Sequence, residues 1–286
     1  NASCCAPRTT RCFTTEDAMQ NIVTIRASAL SDFLDCPARA EAKHLLGKRC
    51  SQSGGALLGK AIHKSTAVFD VSTMTNQGIT ADEAAAAAVD AIQKPDEDVH
   101  LGEDESKADI ENIAVALHHR YCAEIAPTRN YVGVEVTCER LEITDIGLAL
   151  TGTTDRIESF GPDGNGIGDI KSGKTAVRAD GRVETKGHRY QIGVYELLAE
   201  KASGISITAP GRIIGLQVAK TERGQRVAVS EPIHGARDVL VGDAESPGIL
   251  ETVARAVHAG IFPGNPRSML CHEKYCPIFS TCKYRK

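Results

Sequence analysis

The chain has 286 residues, of which 42% are hydrophobic and 24% are charged. These proportions are ordinary for a globular protein and argue against long disordered regions. The formal net charge of -4 at pH 7 has the wrong sign for a protein that coats nucleic acid nonspecifically, although an enzyme acting on DNA often confines its basic residues to one channel.

The first part of the chain is predicted to be largely helical. Residues 1–25 show no clear periodicity, so we interpret them as a flexible lead-in and assign no role to Cys4, Cys5 and Cys12. Apolar residues at spacings of three and four predict a first helix from Ser28 to Gly47. Residues 26–128 are predicted to form a helical region. Besides the first helix it contains one at about 55–69, a second that begins after a capping box at Thr80, and a third at about 106–125.

The pattern changes to strands after about residue 129. Segments 131–143 and 148–159 are rich in β-branched and alternating residues, and a turn at 161–164 precedes a short strand at 167–171. The predicted core, residues 129–262, also contains a helix at about 186–201, strands at about 211–219 and 225–230, and a helix at about 235–259. A cysteine-rich tail, residues 263–286, follows.

Two acidic residues are predicted to meet across a hairpin. A turn near Pro162 places Asp155 opposite Asp169 or one step diagonal to it. Because side chains alternate along a strand, Lys171 shares a face with Asp169. Carboxylate oxygens are preferred ligands of Mg²⁺ and Mn²⁺, so the pattern predicts a metal site with a lysine beside the attacking water. The alternative is that these are solvated charges, with Asp155 paired to Arg156.

Five segments carry a family resemblance in the order in which they occur: SALSDFLDCPARA, GALLGKAIHKS, LTGTTDRIE, GDIKSGK and RYQIGVYELL. Together with the tail, these segments resemble the RecB-type branch of the PD-(D/E)XK nucleases, in particular the small iron-sulfur exonucleases that include CRISPR-associated and AddB-like members. The resemblance covers residues 28–282 of this chain. The resemblance implies a restriction-endonuclease-like α/β fold, with helices flanking a mixed central sheet. It also implies metal-dependent hydrolysis of DNA, with single-stranded ends as the substrate.

The resemblance further implies roles for individual residues. Asp155 and Asp169 take the acidic positions, Lys171 takes the lysine position, and His63 matches a metal-associated histidine, so His63, Asp155 and Asp169 are the expected metal ligands. Gln191 and Tyr195 match a Gln-x-x-x-Tyr signature, and their spacing puts them on one helical face, where they would contact DNA phosphate or orient the lysine. Alternatively, His63 is structural and Tyr195 belongs to the core. Glu135 is a weaker candidate on the neighbouring strand.

Four cysteines are candidates for a second metal site. Cys271, Cys276 and Cys282 lie in the tail, and Cys36 lies in the first predicted helix. Thiolates from two distant segments hold iron-sulfur clusters or zinc. The resemblance implies a [4Fe-4S] cluster, although the gap between Cys271 and Cys276 is longer than the family's usual first gap.

Other assignments for the cysteines stay open. Zinc accepts the same four thiolates, and buried free thiols need no metal at all. His272 is a less favoured substitute ligand. We interpret Cys50, Cys122 and Cys138 as small apolar residues within predicted helices or strands.

The segment that follows the predicted metal site is basic. Between Lys171 and Arg189 there are six basic residues, Lys171, Lys174, Arg178, Arg182, Lys186 and Arg189, against the acidic Asp180 and Glu184. Phosphate neutralisation supplies most nonspecific affinity for DNA, so this segment is predicted to line a backbone groove, unless it is a solvated loop. Aromatic residues are only 4% of the chain, so base stacking is expected to be limited, to Tyr190, Phe160 or Tyr284.

The predicted partner is DNA, with single strands favoured. The chain has no G-x-x-x-x-G-K-[ST] motif, so unwinding would come from a helicase or from a recombination or CRISPR partner. Competing hypotheses are a noncatalytic iron-sulfur DNA-binding or scaffold module and a restriction-like or junction endonuclease. No segment approaches the roughly 18 apolar residues of a membrane span, and we expect a cytoplasmic protein.

Overall fold

Six strands of the described residues form one mixed sheet at the centre of the protein, and two short strands pair beside it. The structure is a computed structural model that describes residues 22–185, 187–243 and 245–285. The strands are β1 (Val23–Arg26), β2 (Gln52–Ser53), β3 (Val99–His100), β4 (Tyr131–Ile143), β5 (Leu148–Ser159), β6 (Asn165–Gly173), β7 (Arg212–Gln217) and β8 (Arg226–Val229).

Strand β5 is the central strand of the sheet. β4 pairs with it in antiparallel orientation along one edge. The other edge is divided between β1, which is parallel to the first half of β5, and β6, which is antiparallel to its second half. β6 continues to β7 in parallel, and β7 to β8 in antiparallel orientation. The predicted hairpin is therefore present and joins β5 to β6.

Helices cover both faces of the sheet. They are α1 (Ala29–Asp35), α2 (Pro37–Ala40), α3 (Gly54–Met74), α4 (Ala81–Gln93), α5 (Lys107–Arg120), α6 (Arg189–Ser203), α7 (Ala236–Val241) and α8 (Ile249–His258). Ile213 and Ile214 of β7 belong to different apolar clusters, so the clusters lie on opposite faces. One cluster contains residues of α3, α4 and α5, and the other contains residues of α1, α6, α7 and α8.

This arrangement confirms the predicted α/β fold with a mixed central sheet flanked by helices. Within the part of the chain that the structure describes, no helix is long and apolar enough to cross a membrane.

The prediction of one continuous helix from Ser28 to Gly47 is wrong. At Cys36 the backbone is extended, with φ of -146° and ψ of 91°, and the chain restarts as α2 and ends in one π-helical turn, Glu41–Leu45. The break follows from Pro37, because proline lacks an amide hydrogen and disfavours the α conformation in the preceding residue.

Three further expectations need correction. The last predicted helix, 235–259, is two helices, because Gly242 leaves the helical conformation with φ of 72°. Residues 23–25, assigned to the lead-in, belong to β1, which is too short to give a clear alternation signal. Cys50 lies in a loop, whereas Cys122 and Cys138 are buried. Cys4, Cys5, Cys12 and Lys186 lie outside the described residues.

A buried charged pair joins α3 to β5. Arg156 donates through Nε to Asp70 at 2.7 Å and through Nη2 to Thr66 at 3.1 Å. The Tyr121 hydroxyl donates to the same oxygen of Asp70 at 2.6 Å. Burial raises the pKa of Asp70, although Arg156 and Tyr121 oppose this shift. The pair therefore fixes the position of α3 against the centre of the sheet at a desolvation cost.

His118 of α5 is expected to make stability depend on pH. The side chain is fully buried, donates to the Ala81 carbonyl oxygen at 3.0 Å, and has its pKa lowered to about 4, first of all by burial. The unfolded chain takes up this proton near pH 6.5, so the free energy of unfolding falls by about 2 kcal/mol between pH 7 and pH 5 because of this residue. Urea denaturation should show a smaller decrease for His118→Gln, and an equal decrease would contradict the assignment.

Candidate active site

The two predicted carboxylates lie side by side on the β5–β6 hairpin. The pairing of Arg156 with Gly168 sets the register, and the next step of that register places Asp155 opposite Asp169. Asp155 accepts a hydrogen bond from the Ile170 backbone N–H at 2.8 Å. Asp155 is 6% exposed and Asp169 is 0% exposed. The hairpin therefore holds two carboxylates together away from bulk water, which is unfavourable unless cations lie beside them.

Lys171 supplies one of these cations. Its Nζ lies 2.8 Å from Oδ1 and 2.6 Å from Oδ2 of Asp169. The lysine side chain keeps about a quarter of its surface exposed, while the carboxylate is buried. The ammonium group therefore lies between the buried carboxylate and solvent.

His63 reaches the same site from α3. This helix begins at Ser53, whose side chain accepts from the Ala56 N–H and caps the first turn. His63 Nδ1 lies 3.4 Å from Oδ1 of Asp155. His63, Asp155 and Glu135 each offer one ligand atom, and these three atoms lie within 4.8 Å of one another, close enough to share a metal ion. Of the predicted ligands His63, Asp155 and Asp169, the structure groups the first two, and the third member of the group is Glu135 in place of Asp169.

Glu135 is the residue that the sequence analysis weighted too little. It lies on β4 opposite Asp155 and has φ of 50°, a left-handed conformation that non-glycine residues rarely adopt. Its carboxylate lies 3.3 Å from Arg156 Nη1. Such local strain costs about 1–3 kcal/mol and is concentrated at functional sites. The available signal was a charged residue between Val134 and Val136 in an otherwise apolar stretch.

The charges of the site are mutually dependent. Burial raises the pKa of Asp155, but His63 and Lys171 outweigh burial, so the pKa is lowered to about 2. Burial lowers the pKa of His63, but Asp155 outweighs it, so that pKa is raised. Burial raises the pKa of Asp169, and Lys171 only partly opposes the shift. Burial and the charge of Asp155 also raise the pKa of Glu135. The ionisation of the carboxylates therefore depends on the cations beside them.

Gln191 and Tyr195 lie together on α6, as their spacing predicted. Gln191 Nε2 donates to the Tyr195 hydroxyl oxygen at 2.8 Å. Burial and then the charge of Asp169 raise the pKa of Tyr195, so the phenol stays protonated. Gly152 of β5 lies against the same helix, and a Cβ there would lie 3.1 Å from Leu198. Tyr195 thus packs in the core, near enough to Asp169 for that charge to raise its pKa.

The four candidate cysteines line one small cavity between α1, α2 and the tail: Cys36, Cys271, Cys276 and Cys282. We call it the four-cysteine cavity. All four thiols are free, and Cys36 and Cys276 are buried. Burial raises the pKa of Cys276, and the other three thiols contribute to the shift, which reflects their proximity. The Asn265 N–H donates to Cys36 Sγ at 3.3 Å. His272 is not among the residues that line the cavity.

The basic segment is less positive than its composition indicates. Arg178 donates to Glu184 at 2.6 Å, and Arg182 donates to Asp180 at 2.7 Å. Arg189 donates to the Gly235 carbonyl oxygen. The candidate stacking residues also have protein contacts: Tyr190 packs against the core, while Phe160 and Tyr284 lie beside Arg212 and Lys283. A groove along this segment stays a prediction.

The site brings acidic side chains together with a histidine and a lysine at the centre of a mixed sheet flanked by helices. This arrangement is typical of a metal-dependent nuclease. The chain belongs to the PD-(D/E)XK nuclease superfamily, whose family model matches residues 24–283. The fold is accordingly restriction-endonuclease-like.

One solved structure agrees with this fold. The crystal structure of a candidate exonuclease from Eubacterium rectale is similar with a TM-score of 0.50 and 14% sequence identity, covering 93% of this chain and 91% of that chain. The crystal structure of SSO0001 aligns with a TM-score of 0.40 and 14% identity, covering 95% of this chain and 93% of that chain. Comparison with proteins of curated function gives no match.

Proposed function

We propose that this protein is an exonuclease that uses Mg²⁺ or Mn²⁺ to hydrolyse phosphodiester bonds at the ends of single-stranded DNA. The observation that carries the proposal is the convergence of His63, Glu135 and Asp155 within 4.8 Å, beside the buried Asp169–Lys171 pair. Membership of the nuclease superfamily supports the reaction class. The preference for single-stranded ends rests on the sequence resemblance to iron-sulfur exonucleases.

The residues present fit a divalent cation. His63 offers a nitrogen, and Asp155 and Glu135 offer carboxylate oxygens, within 4.8 Å of one another. Asp169, which is buried and paired with Lys171, would add a further oxygen. A bound divalent ion lowers the pKa of an attacking water and offsets negative charge on the scissile phosphate. The cation would therefore supply the part of the reaction that the side chains alone do not.

The side chains divide the remaining tasks. Lys171, which contacts both oxygens of Asp169 in this structure, would orient the attacking water and stabilise the extra charge of the transition state. Tyr195 keeps its proton and Gln191 keeps one amide N–H beyond the bond to Tyr195, so both could donate to a phosphate oxygen. The Gln191 carbonyl oxygen could instead accept from Lys171 and orient it. Arg156 Nη1 donates to the Glu135 carboxylate at 3.3 Å and to the backbone oxygen of Asp155 at 2.7 Å, and so fixes both residues.

The four-cysteine cavity is proposed to hold a [4Fe-4S] cluster. Four thiols from the two ends of the described chain share one cavity, and backbone N–H groups donate to sulfur at Cys36 and Cys276. Such donors stabilise metal-bound thiolates. The cavity is only about 10 Å³, so either a cluster or a zinc ion requires the side chains that line it to move. Iron, sulfide and zinc analysis of anaerobically purified protein therefore decides between the two.

Replacing Asp155 with asparagine is expected to remove metal-dependent cleavage, because the variant loses the carboxylate charge shared with His63. Digestion of end-labelled single-stranded DNA with Mg²⁺ or Mn²⁺, together with Mn²⁺ titration calorimetry, measures both cleavage and binding. Asp163→Asn, on the exposed turn before β6, is the matched control and should keep both.

Linear and circular single strands separate the classes of activity. An exonuclease degrades only the linear DNA, whereas cleavage of circles would replace the proposal with an endonuclease. Intact DNA with a folded protein that retains metal in the four-cysteine cavity would favour a noncatalytic DNA-binding module. A helicase, recombination or CRISPR partner would be sought only after cleavage of linear strands is established.

A further inference from the structure

The four-cysteine cavity contains a buried cation that the preceding assignments leave without a role. Arg39 lies in α2, three residues after Cys36, is 3% exposed, and lines the cavity with the four thiols. Its Nη1 has no hydrogen-bond partner among the described residues, although it is shielded from water. An unpaired buried donor is costly, so a structure that retains one requires an explanation.

Two aspartates hold this guanidinium in place. Arg39 Nη2 donates to Asp32 at 2.9 Å and to Asp35 at 3.0 Å, so both ion pairs use the same nitrogen. Asp35 in turn accepts from Ser268 of the tail at 2.6 Å. The second nitrogen, Nη1, therefore stays without an acceptor while the side chain is fixed beside the thiols.

Asp32 is an effective anchor because it is ionised at every physiological pH. Burial raises its pKa, but the hydrogen bond from His44 and the charge of Lys43 outweigh burial and lower the pKa to about 2. Its other oxygen lies 3.0 Å from Lys43 Nζ and 2.7 Å from His44 Nε2. Arg39 is thus one of several cationic partners, but it alone of them lines the cavity.

The charge of the expected group explains the arrangement. Four thiolates carry four negative charges, and either Zn²⁺ or an oxidised [4Fe-4S] core returns two positive charges, so a net negative charge remains in a buried site. A buried anion is stable only beside a cation or hydrogen-bond donors. Arg39 provides both, since its charge is permanent and its Nη1 is free to donate.

We propose that Arg39 is the positioning residue of the four-cysteine site, whose Nη1 donates a hydrogen bond to sulfur of the bound metal–thiolate group. This inference rests on the proposed metal at the four cysteines, but it holds for zinc as well as for the cluster. Arg39 stabilises the anionic group, slows loss of metal and, for a cluster, favours the reduced state, which carries one more negative charge.

The test compares Arg39→Gln and Arg39→Lys with Lys43→Met. Lys43→Met is the control, because Lys43 is another partner of Asp32 but is exposed and does not line the cavity. Proteins loaded anaerobically with ferrous iron and sulfide, or with zinc, are mixed with a chelator, and the release of metal is followed by absorbance. Removal of a charge-assisted hydrogen bond predicts about tenfold faster release from Arg39→Gln, a smaller acceleration for Arg39→Lys, and none for Lys43→Met.

Redox titration gives a second readout where the cluster is present. A tenfold change in the reduction equilibrium corresponds to about 59 mV for a one-electron couple, and the midpoint of Arg39→Gln should be lower by about that amount. If Arg39→Gln does not fold, Arg39→Lys carries the test. Release at the wild-type rate from the folded Arg39 variants would overturn the proposal, as would equal acceleration in Lys43→Met. Metal analysis of the wild-type protein tests the cluster separately, so failure of the cluster assignment is distinguishable from failure of the Arg39 role.

Discussion

Replacing Lys171 with methionine is expected to reduce the rate of DNA cleavage by about 10²–10³-fold while Mn²⁺ binding is kept. The loss of rate follows because a fixed cation that stabilises developing negative charge contributes on that order. Metal binding is kept because Lys171 contacts both oxygens of Asp169, and its removal leaves this buried carboxylate free for the metal. Mn²⁺ affinity should therefore be unchanged or tighter.

Single-turnover cleavage at saturating DNA and Mn²⁺, combined with Mn²⁺ titration calorimetry, separates the two effects. Lys201→Met, an exposed position near the end of α6, is the matched control and should cleave normally. Lys171→Arg should remain impaired, because a planar guanidinium does not replace a compact ammonium group between two carboxylate oxygens. Wild-type cleavage by Lys171→Met would remove the lysine from the mechanism, and loss of Mn²⁺ binding would make its role structural.

The acidic part of the site was predictable because its geometry is local. A turn at 161–164 fixes the hairpin, the hairpin fixes the facing of Asp155 and Asp169, and the alternation of a strand adds Lys171. The contribution of His63 was not available from spacing, because α3 reaches β5 only through tertiary packing. It came from the family resemblance, and the contact of 3.4 Å with Asp155 agrees with it.

The features that the sequence did not predict depend on long-range packing or on unusual backbone conformations. Glu135 was only a weaker candidate in the sequence analysis, because its approach to Asp155 depends on a positive φ that the sequence pattern does not indicate. β1 is a strand because it pairs with the buried β5, since its four residues have little signal of their own. The break at Cys36, in contrast, was recoverable from Pro37, whose effect on the preceding residue is local.

The Asp70–Arg156 pair gives the largest expected effect on stability. Asp70→Asn leaves the fully buried guanidinium of Arg156 without its closest counterion, and removal of one partner from a buried pair costs about 3–5 kcal/mol. Glu135 does not compensate, because it lies farther away, at 3.3 Å, and is 41% exposed. Urea denaturation should therefore show a large decrease in the midpoint, whereas Asp90→Asn, an exposed position on α4, should leave it unchanged.

A double-mutant cycle distinguishes a paired charge from a simple packing defect. Burial raises the pKa of Asp70 despite its partners, so desolvation of the pair is expensive, and Asp70→Leu combined with Arg156→Met should be more stable than Asp70→Asn alone. The same double variant should lose cleavage even when folded, because Arg156 also holds Glu135 and the backbone oxygen of Asp155. Recovery of stability without recovery of cleavage would show that the pair serves the site as well as the fold, whereas additive losses of stability would contradict a coupled pair.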